Sequence, residues 1–324
     1  STLKPFLFAQ ALDSGLNTAT VLEDIERKYS SPQGTYRPVN FNRESYGPVP
    51  MRNALGNSLN QTAVSLLNTI GYSSFYETLQ SLDLINFPQR GPEHYGLGMV
   101  IGNPEVTLVQ LATAYAALAR GGLFIPAKYF IDDRRSKGER IYSEEASYIL
   151  TDMLSDPSAR NITFGDFFNQ KLPFKVALKT GTSTNYRDGW IVGYTQQHTI
   201  AIWVGNFNGQ PTTGMSGAQA ASPILVDILN ELYPNGLSLS FSKPEGVVSA
   251  DVCSYSGMKP NKFCPHVRRE LFIDGMEPDE ICNYHNGSGG THDLPAQFAT
   301  WLHTKYKKGL EGNFRLAGFS RSLD

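Results

Sequence analysis

The strongest constraint on this chain is that three short polar strings, far apart in sequence, make chemical sense only if the fold brings them together. They are Ser1-Thr2-Leu3-Lys4, Ser58-Leu59-Asn60 and Lys179-Thr180-Gly181-Thr182, in that order. Their patterns are S-x-x-K, S-x-N and K-T-G-T. Chance supplies about one S-x-x-K and one S-x-N in a chain of this length, but K-T-G in only about one such chain in ten. The ordered set, each member in a fitting local context, is therefore the signal.

Ser1 and Lys4 lie three residues apart, a spacing that puts both side chains on one helical face. Pro5 is tolerated near a helix start, and Leu3, Phe6, Leu7 and Leu12 supply apolar surface to bury the helix. A serine hydroxyl becomes a nucleophile when a base takes its proton. A lysine amine can be that base only if desolvation or a positive neighbour lowers its pKa from about 10.4. Ser58-Leu59-Asn60 falls between a predicted short helix over residues 51–55 and a second over 61–70. A hydroxyl and an amide on such a loop suit proton transfer and binding of a carbonyl, with simple helix capping by Asn60 as the competing reading. Lys179-Thr180-Gly181-Thr182 follows the apolar run Phe174 to Leu178, which suits a buried strand. Gly181 would let a peptide-like ligand approach the strand closely, and hydroxyls beside an ammonium suit a carboxylate.

Net charge is −2, which offers no field for nucleic acid. No apolar run approaches the length of a membrane span, and no signal peptide, repeat, Walker motif or dinucleotide fingerprint is present. The six histidines are scattered. The chemistry suggested by the three strings needs no cofactor and no catalytic metal.

Residues 1–172 read as largely helical, with amphipathic stretches at 105–120 and 143–154 and an irregular polar loop at 36–50. Three strands are predicted between residues 174 and 204, the last of them (199–204) apolar throughout as if buried on both faces, and a helix at 218–232. The fold class is thus α/β (α+β). Composition shifts near residue 242. The chain divides into a main domain, residues 1–240, and a small extension, 241–324, with strand-like runs at 246–253 and 269–273, a flexible stretch at 286–290 and a helix at 295–307.

These stretches together resemble the transpeptidase half of class A penicillin-binding proteins. The likeness runs through residues 1–15, 36–58, 95–122, 179–206 and 253–285. It implies a serine β-lactamase/DD-peptidase-like fold, with a helical subdomain beside an antiparallel sheet. It also implies a peptidoglycan D,D-transpeptidase inhibited by β-lactams. Ser1 would attack the D-Ala-D-Ala carbonyl of a stem peptide, with Lys4 as base. Ser58 and Lys179 would relay protons and Asn60 would bind the substrate amide. Thr180 and Thr182, flanking Gly181, would hold the terminal carboxylate. The backbone N–H groups of Ser1 and Thr182 would form an oxyanion hole, and an amine of a second stem peptide would accept the acyl group. The family places two sheet strands, a membrane anchor and a glycosyltransferase domain before this serine, so the chain reads as a fragment beginning at the nucleophile. The implied location is the extracytoplasmic (periplasmic) face of the bacterial inner membrane.

Alternatives are an N-terminal-nucleophile hydrolase, a non-catalytic penicillin sensor or scaffold, and a D,D-carboxypeptidase or β-lactamase. Ser1 opens a helical rather than a strand pattern, which disfavours the first. No carboxylate is evidently placed to activate water, which favours transpeptidation over hydrolysis. In the extension, Cys253, Cys264, Cys282 and His285 could ligate a metal, and Cys282-x-x-His285 has ligand-like spacing. An extracytoplasmic compartment favours instead one disulfide with a cysteine left over.

Overall fold

A computed structural model describes residues 1–31, 34–133, 136–164, 172–237, 240–285, 292–307 and 314–316. The helices are α1 (Lys4–Asp13), α2 (Met51–Gly56), α3 (Asn60–Ile70), α4 (Tyr72–Ser81), α5 (Gly91–Tyr95), α6 (Leu108–Ala119), α7 (Glu144–Ser155), α8 (Asn161–Phe164), α9 (Gly217–Leu232) and α10 (Ala299–Lys307). The first strands are β1 (Val21–Asp24), β2 (Tyr29–Ser31), β3 (Gly34–Tyr36), β4 (Gly47–Pro50), β5 (Leu123–Phe124) and β6 (Glu139–Arg140). The rest are β7 (Ala177–Thr182), β8 (Asp188–Tyr194), β9 (Thr199–Gly205), β10 (Val247–Cys253), β11 (Val267–Ile273), β12 (His292–Leu294) and β13 (Phe314–Leu316). Among the described residues no helix is long and apolar enough to cross a membrane.

Helix α1 is apolar on every side, which a helix tolerates only when it is surrounded. Phe6, Leu7, Phe8, Ala9, Ala11 and Leu12 are all buried, and α2, α3, α4 and α7 pack around them. Buried hydroxyls lock its start. The Tyr115 hydroxyl on α6 donates to the Thr2 carbonyl at 2.6 Å, and that of Tyr142 donates to the Phe6 carbonyl at 3.1 Å. The helices around it carry their own punctuation. Thr107 and Gln110 form a capping box at the start of α6. Its end is turned by Gly121 and Gly122, both at positive φ, and a Cβ on Gly122 would lie 2.2 Å from the Tyr142 carbonyl oxygen.

The main sheet is antiparallel in the order β7-β8-β9, with Lys179 opposite Val192 and Tyr194 opposite Thr199. Strand periodicity sorts its side chains. Leu178, Ile191 and Ile202 join Leu225 and Leu229 of α9, whereas Ala177, Val192 and Tyr194 join the core around α1. Tyr194 meets Tyr115 edge-on at 6.2 Å, and Tyr115 meets Phe6 at 5.2 Å, so aromatic contacts tie sheet to central helix. Helices α6 and α9 lie on opposite faces of the sheet. Strand β9 is less buried than its composition suggests. Of its residues only Ile202 is buried, because β9 is the outermost of the three strands and the helices only partly cover it. The stretch over residues 36–50 is also more ordered than a loop, since its end forms β4, paired antiparallel with β1.

The extension begins with the β10–β11 hairpin. The stretch at residues 286–290 lies outside the described residues. The expected disulfide is not formed: Cys253, Cys264 and Cys282 are free. Their sulfurs and His285 converge on one point instead of leaving one cysteine apart.

A buried ion cluster fastens the hairpin to the helices. Glu270 on β11 is 2 % exposed and accepts from Arg52 Nη2 of α2 at 2.7 Å, with Arg268 Nε 3.2 Å away. Arg52 also meets Asp152 at 2.7 Å and Asp156 at 3.5 Å on the α7 side. Removing one partner of such a cluster strands a buried charge, which typically costs about 3 kcal/mol. Arg52→Leu is therefore expected to lower the unfolding free energy in urea by about that amount. Arg269→Ala, which breaks an exposed pair with Asp251, should change it by less than about 1 kcal/mol. Equal losses in the two variants would contradict this account of the cluster.

Candidate active site

Lys4 Nζ lies 3.0 Å from Ser1 Oγ, 2.7 Å from the Ser58 carbonyl oxygen, 3.2 Å from Ser58 Oγ and 2.6 Å from Asn60 Oδ1. These four oxygens are not equivalent. The Ser58 carbonyl and Asn60 Oδ1 can only accept, and the Asn60 amide is oriented by its own Nδ2, which donates to the Val39 carbonyl at 2.8 Å. A neutral amine has two N–H bonds and one lone pair. Once the two obligate acceptors take the N–H bonds, the lone pair is left for a hydroxyl. Lys4 is fully buried, and burial, followed by the charge of Lys179, holds its pKa well below the ordinary lysine range. The charge of Asp24 opposes this shift without reversing it.

Ser58 joins the two lysines. Its hydroxyl receives Lys179 Nζ at 2.7 Å, and Lys179 also donates to the Thr180 carbonyl at 2.9 Å. Lys179 is 2 % exposed, and burial pushes its pKa down to about 7. The Ser58 backbone has φ +57°, a left-handed conformation uncommon for a residue with a Cβ. That twist, in the break between α2 and α3, lets the carbonyl and the hydroxyl of one residue face both lysines.

The capping reading of Asn60 is answered by a different asparagine. The start of α3 has no side-chain cap from Leu59 or Asn60. Asn40 Oδ1, from the stretch before β4, accepts the Asn60 N–H at 2.7 Å and the Gln61 N–H at 3.2 Å. Asn40 Nδ2 is held in turn by both carboxylate oxygens of the buried Asp24, at 3.0 and 2.8 Å. Burial raises the pKa of Asp24. Asn60 is thereby free to turn its side chain to Lys4. Sequence reading missed Asp24 and Asn40. A polar Asn-Phe-Asn stretch was visible, but nothing local to it signals that it reaches a helix start some twenty residues on.

Thr180, Gly181 and Thr182 line one wall of a cleft of about 230 Å³, opposite Ser1, Ser58 and Asn60. Phe41, Tyr46 and Ser216 add to its rim, and none of its described lining residues is Asp or Glu. Thr182 Oγ1 accepts the Gly217 N–H at 2.8 Å, so the start of α9 is pinned to the strand that carries the K-T-G-T run. The expected reason for Gly181 changes in detail. A Cβ there would lie 3.1 Å from Thr2 Cγ2, so this glycine makes room for the turn carrying Ser1 as well as for the cleft. Ser1 N, expected to point into an oxyanion hole, donates to the Ile101 carbonyl at 3.0 Å. The structure thus gathers Ser1, Lys4, Ser58, Asn60 and Lys179 through direct hydrogen bonds, with the K-T-G-T residues alongside. Cys253, Cys264, Cys282 and His285 form a separate group in the extension.

Burying two lysines has a consequence for stability. The unfolded chain holds a proton on lysine up to about pH 10.4, whereas folded Lys179 loses it near 7. The unfolded state therefore binds more protons in this window, and stability rises with pH at up to about 1.4 kcal/mol per unit per lysine. Above about pH 10 the trend reverses, because burial raises Tyr115, Tyr142 and Tyr194 and only the unfolded tyrosines ionise. Lys179→Met is expected to flatten the rise between pH 7 and 9 measured by urea unfolding. An unchanged slope in that variant would mean Lys179 is not the desolvated group.

The penicillin binding protein transpeptidase domain matches residues 1–230, and the penicillin-binding protein 1A C-terminal domain matches residues 243–287. Penicillin-binding protein 1C of Escherichia coli (strain K12) is 31% identical over 293 residues, spanning 87% of this chain and 36% of the relative. Penicillin-binding protein 1A of Clostridium perfringens is 29% identical over 316 residues, spanning 88% and 37%. The chain thus covers little more than a third of the length of these curated relatives. Among solved structures, penicillin-binding protein 1A from Haemophilus influenzae superposes with a TM-score of 0.74 at 22% identity, over 87% of this chain and 48% of that one. The PonA1 protein from Mycobacterium tuberculosis, solved in complex with penicillin V, superposes at 0.63 and 20% identity, over 75% and 71%. The mixed helical and antiparallel fold is that of penicillin-binding transpeptidase domains, and the chain belongs to the penicillin-binding protein transpeptidase family.

Proposed function

We propose that this chain is a serine D,D-transpeptidase that crosslinks peptidoglycan stem peptides through an acyl-enzyme on Ser1. The observation that carries the reading is the position of Lys4: a buried amine, 3.0 Å from Ser1 Oγ, whose N–H bonds are claimed by two groups that can only accept. Lys4 takes the Ser1 proton as Oγ attacks the carbonyl between the two D-alanines. Ser58, within reach of both lysines, passes a proton to the departing amine, and D-alanine leaves. Asn60 binds the substrate amide. Thr180 and Thr182 hold the terminal carboxylate, favoured by the nearby positive end of the long helix α9. An amine from a second stem peptide then attacks the ester; Lys4 takes a proton from that amine and hands it to the departing Ser1 Oγ, which restores the serine hydroxyl and the neutral lysine.

A β-lactam mimics the donor and stops after acylation, in keeping with the penicillin complex known for PonA1. A cleft lined by no described carboxylate lacks an evident group to activate water, and this supports transfer to an amine over hydrolysis. The reading places the protein at the extracytoplasmic face of a bacterial inner membrane, as the transpeptidase part of a bifunctional glycosyltransferase/transpeptidase.

Incubation with a labelled penicillin followed by peptide mapping should place the adduct on Ser1 and abolish it in Ser1→Ala. An adduct on Ser58 or Ser183 would overturn the assignment. Lys4→Arg places a permanently charged guanidinium there that cannot act as a base, and acylation should fall by at least about a hundredfold. Release of D-alanine from a pentapeptide stem, with an amine product formed, separates a working transpeptidase from a sensor that acylates once.

A further inference from the structure

The C-terminal extension holds a second constellation, unconnected to the cleft. Cys253 Sγ, Cys264 Sγ, Cys282 Sγ and a ring nitrogen of His285 all lie within 4.8 Å of one another. His285 Nδ1 is 3.2 Å from Cys282 Sγ and 3.5 Å from Cys253 Sγ. Ligands at about 2.3 Å (sulfur) and 2.0 Å (nitrogen) around one tetrahedral zinc ion stand roughly 3.5–3.8 Å apart. The observed spacings suit a shared ion. A disulfide would join only two of the sulfurs and leave the third thiol and the imidazole crowded against it.

The backbone around the four groups is organised for the purpose. Cys253 ends β10, and the chain turns back at once: Cys253 N–H donates to the Met258 carbonyl, and Gly257 N–H to the Cys253 carbonyl, both at 2.9 Å. Cys264 closes a second turn, where the Asn261 N–H points at its sulfur at 3.3 Å. Cys282-Asn283-Tyr284-His285 supplies the remaining pair. The Asn261 side chain staples this last turn to the second, donating to the carbonyls of Cys282 at 2.7 Å and His285 at 2.9 Å. N–H groups aimed at a ligand sulfur and side chains that fix ligand turns are the usual supports of a metal site. Cys253, Cys282 and His285 are buried, and Cys264 is half-buried.

Size supplies an independent reason. The local core consists of Cys253, Cys282, Tyr284, Leu294 and Phe298, with a few half-buried neighbours. So small a cluster does not order three turns by apolar burial alone, and small units of this kind commonly rely on a metal or a disulfide.

We propose that Cys253, Cys264, Cys282 and His285 form a structural Zn²⁺ site that holds the extension together. Three thiolates and one imidazole select zinc among the common divalent ions. Four protein ligands fill its coordination sphere and leave no open position for catalysis. Binding one Zn²⁺ releases the three thiol protons and forms four metal–ligand bonds, with no redox change. The site is distinct from the Ser1 cleft, and its test makes no use of acylation.

The whole chain, purified under reducing conditions with zinc supplied and then dialysed, should contain about one zinc per molecule by elemental analysis. A thiol-blocking mercurial should release that zinc as about three equivalents are consumed, and protein stripped of zinc by acid and a chelator instead should show three free thiols. Cys282→Ser and His285→Ala should each lose most of the zinc. Because those variants could fail by unfolding, the unaltered chain provides the second readout. Cobalt(II) added in place of zinc should give intense visible bands of tetrahedral coordination together with thiolate-to-cobalt charge transfer in the near ultraviolet. Absence of bound zinc with octahedral, pale cobalt spectra would overturn the proposal. So would a disulfide between two of the three cysteines in protein recovered from an oxidising compartment.

Discussion

The structure turns on one serine hydroxyl shared by two buried lysines. Ser58 Oγ lies 2.7 Å from Lys179 Nζ and 3.2 Å from Lys4 Nζ, and both lysines are almost wholly removed from solvent. Two ammonium groups so placed would repel each other in a medium that screens them weakly. The economical resolution is for at least one to be neutral, and a neutral lysine is what a serine nucleophile needs. Much of the surrounding architecture serves that end: a largely apolar, surrounded α1 that carries Lys4 into the core, a left-handed turn to present both polar groups of Ser58, and a strand to deliver Lys179.

The supports of this centre come from elements that the three strings do not mention. Tyr115, on α6, holds the Thr2 carbonyl and packs edge-on between the central helix and the sheet. Asp24 and Asn40 cap α3 and release Asn60 from that duty. Gly217 starts α9 against Thr182, and a Cβ there would come within 1.9 Å of the Gly181 carbonyl oxygen. A loss of precision at any of these positions would be felt at Lys4.

This division explains what could be read from the chain. Short-range spacing carried the reactive groups, because S-x-x-K and S-x-N each lie within one or two turns of backbone. Apolar periodicity carried α6, α7, α9 and the three-stranded hairpin system. Contacts spanning long stretches of sequence were hidden, as with Asp24 and Asn40, whose role exists only once β1 pairs with β4. For the cysteines, the compartment argument pointed to a disulfide, but the positions of all four groups depend on how three turns fold over one another.

The central claim is that Lys4 is neutral at working pH because of burial and of Lys179. The most direct measurement is the second-order rate of acylation by a fluorescent penicillin as a function of pH. If Lys4 is the base, as proposed, the rate should rise with pH along a limb whose midpoint lies well below 10.4, since a base must lose its proton before it can accept one from Ser1. Removing the charge at Lys179 with Lys179→Met should move that midpoint upward, because one of the two causes of the depression is gone. A limb centred near the free-lysine value in the unaltered protein, or a midpoint unmoved in Lys179→Met, would contradict the account.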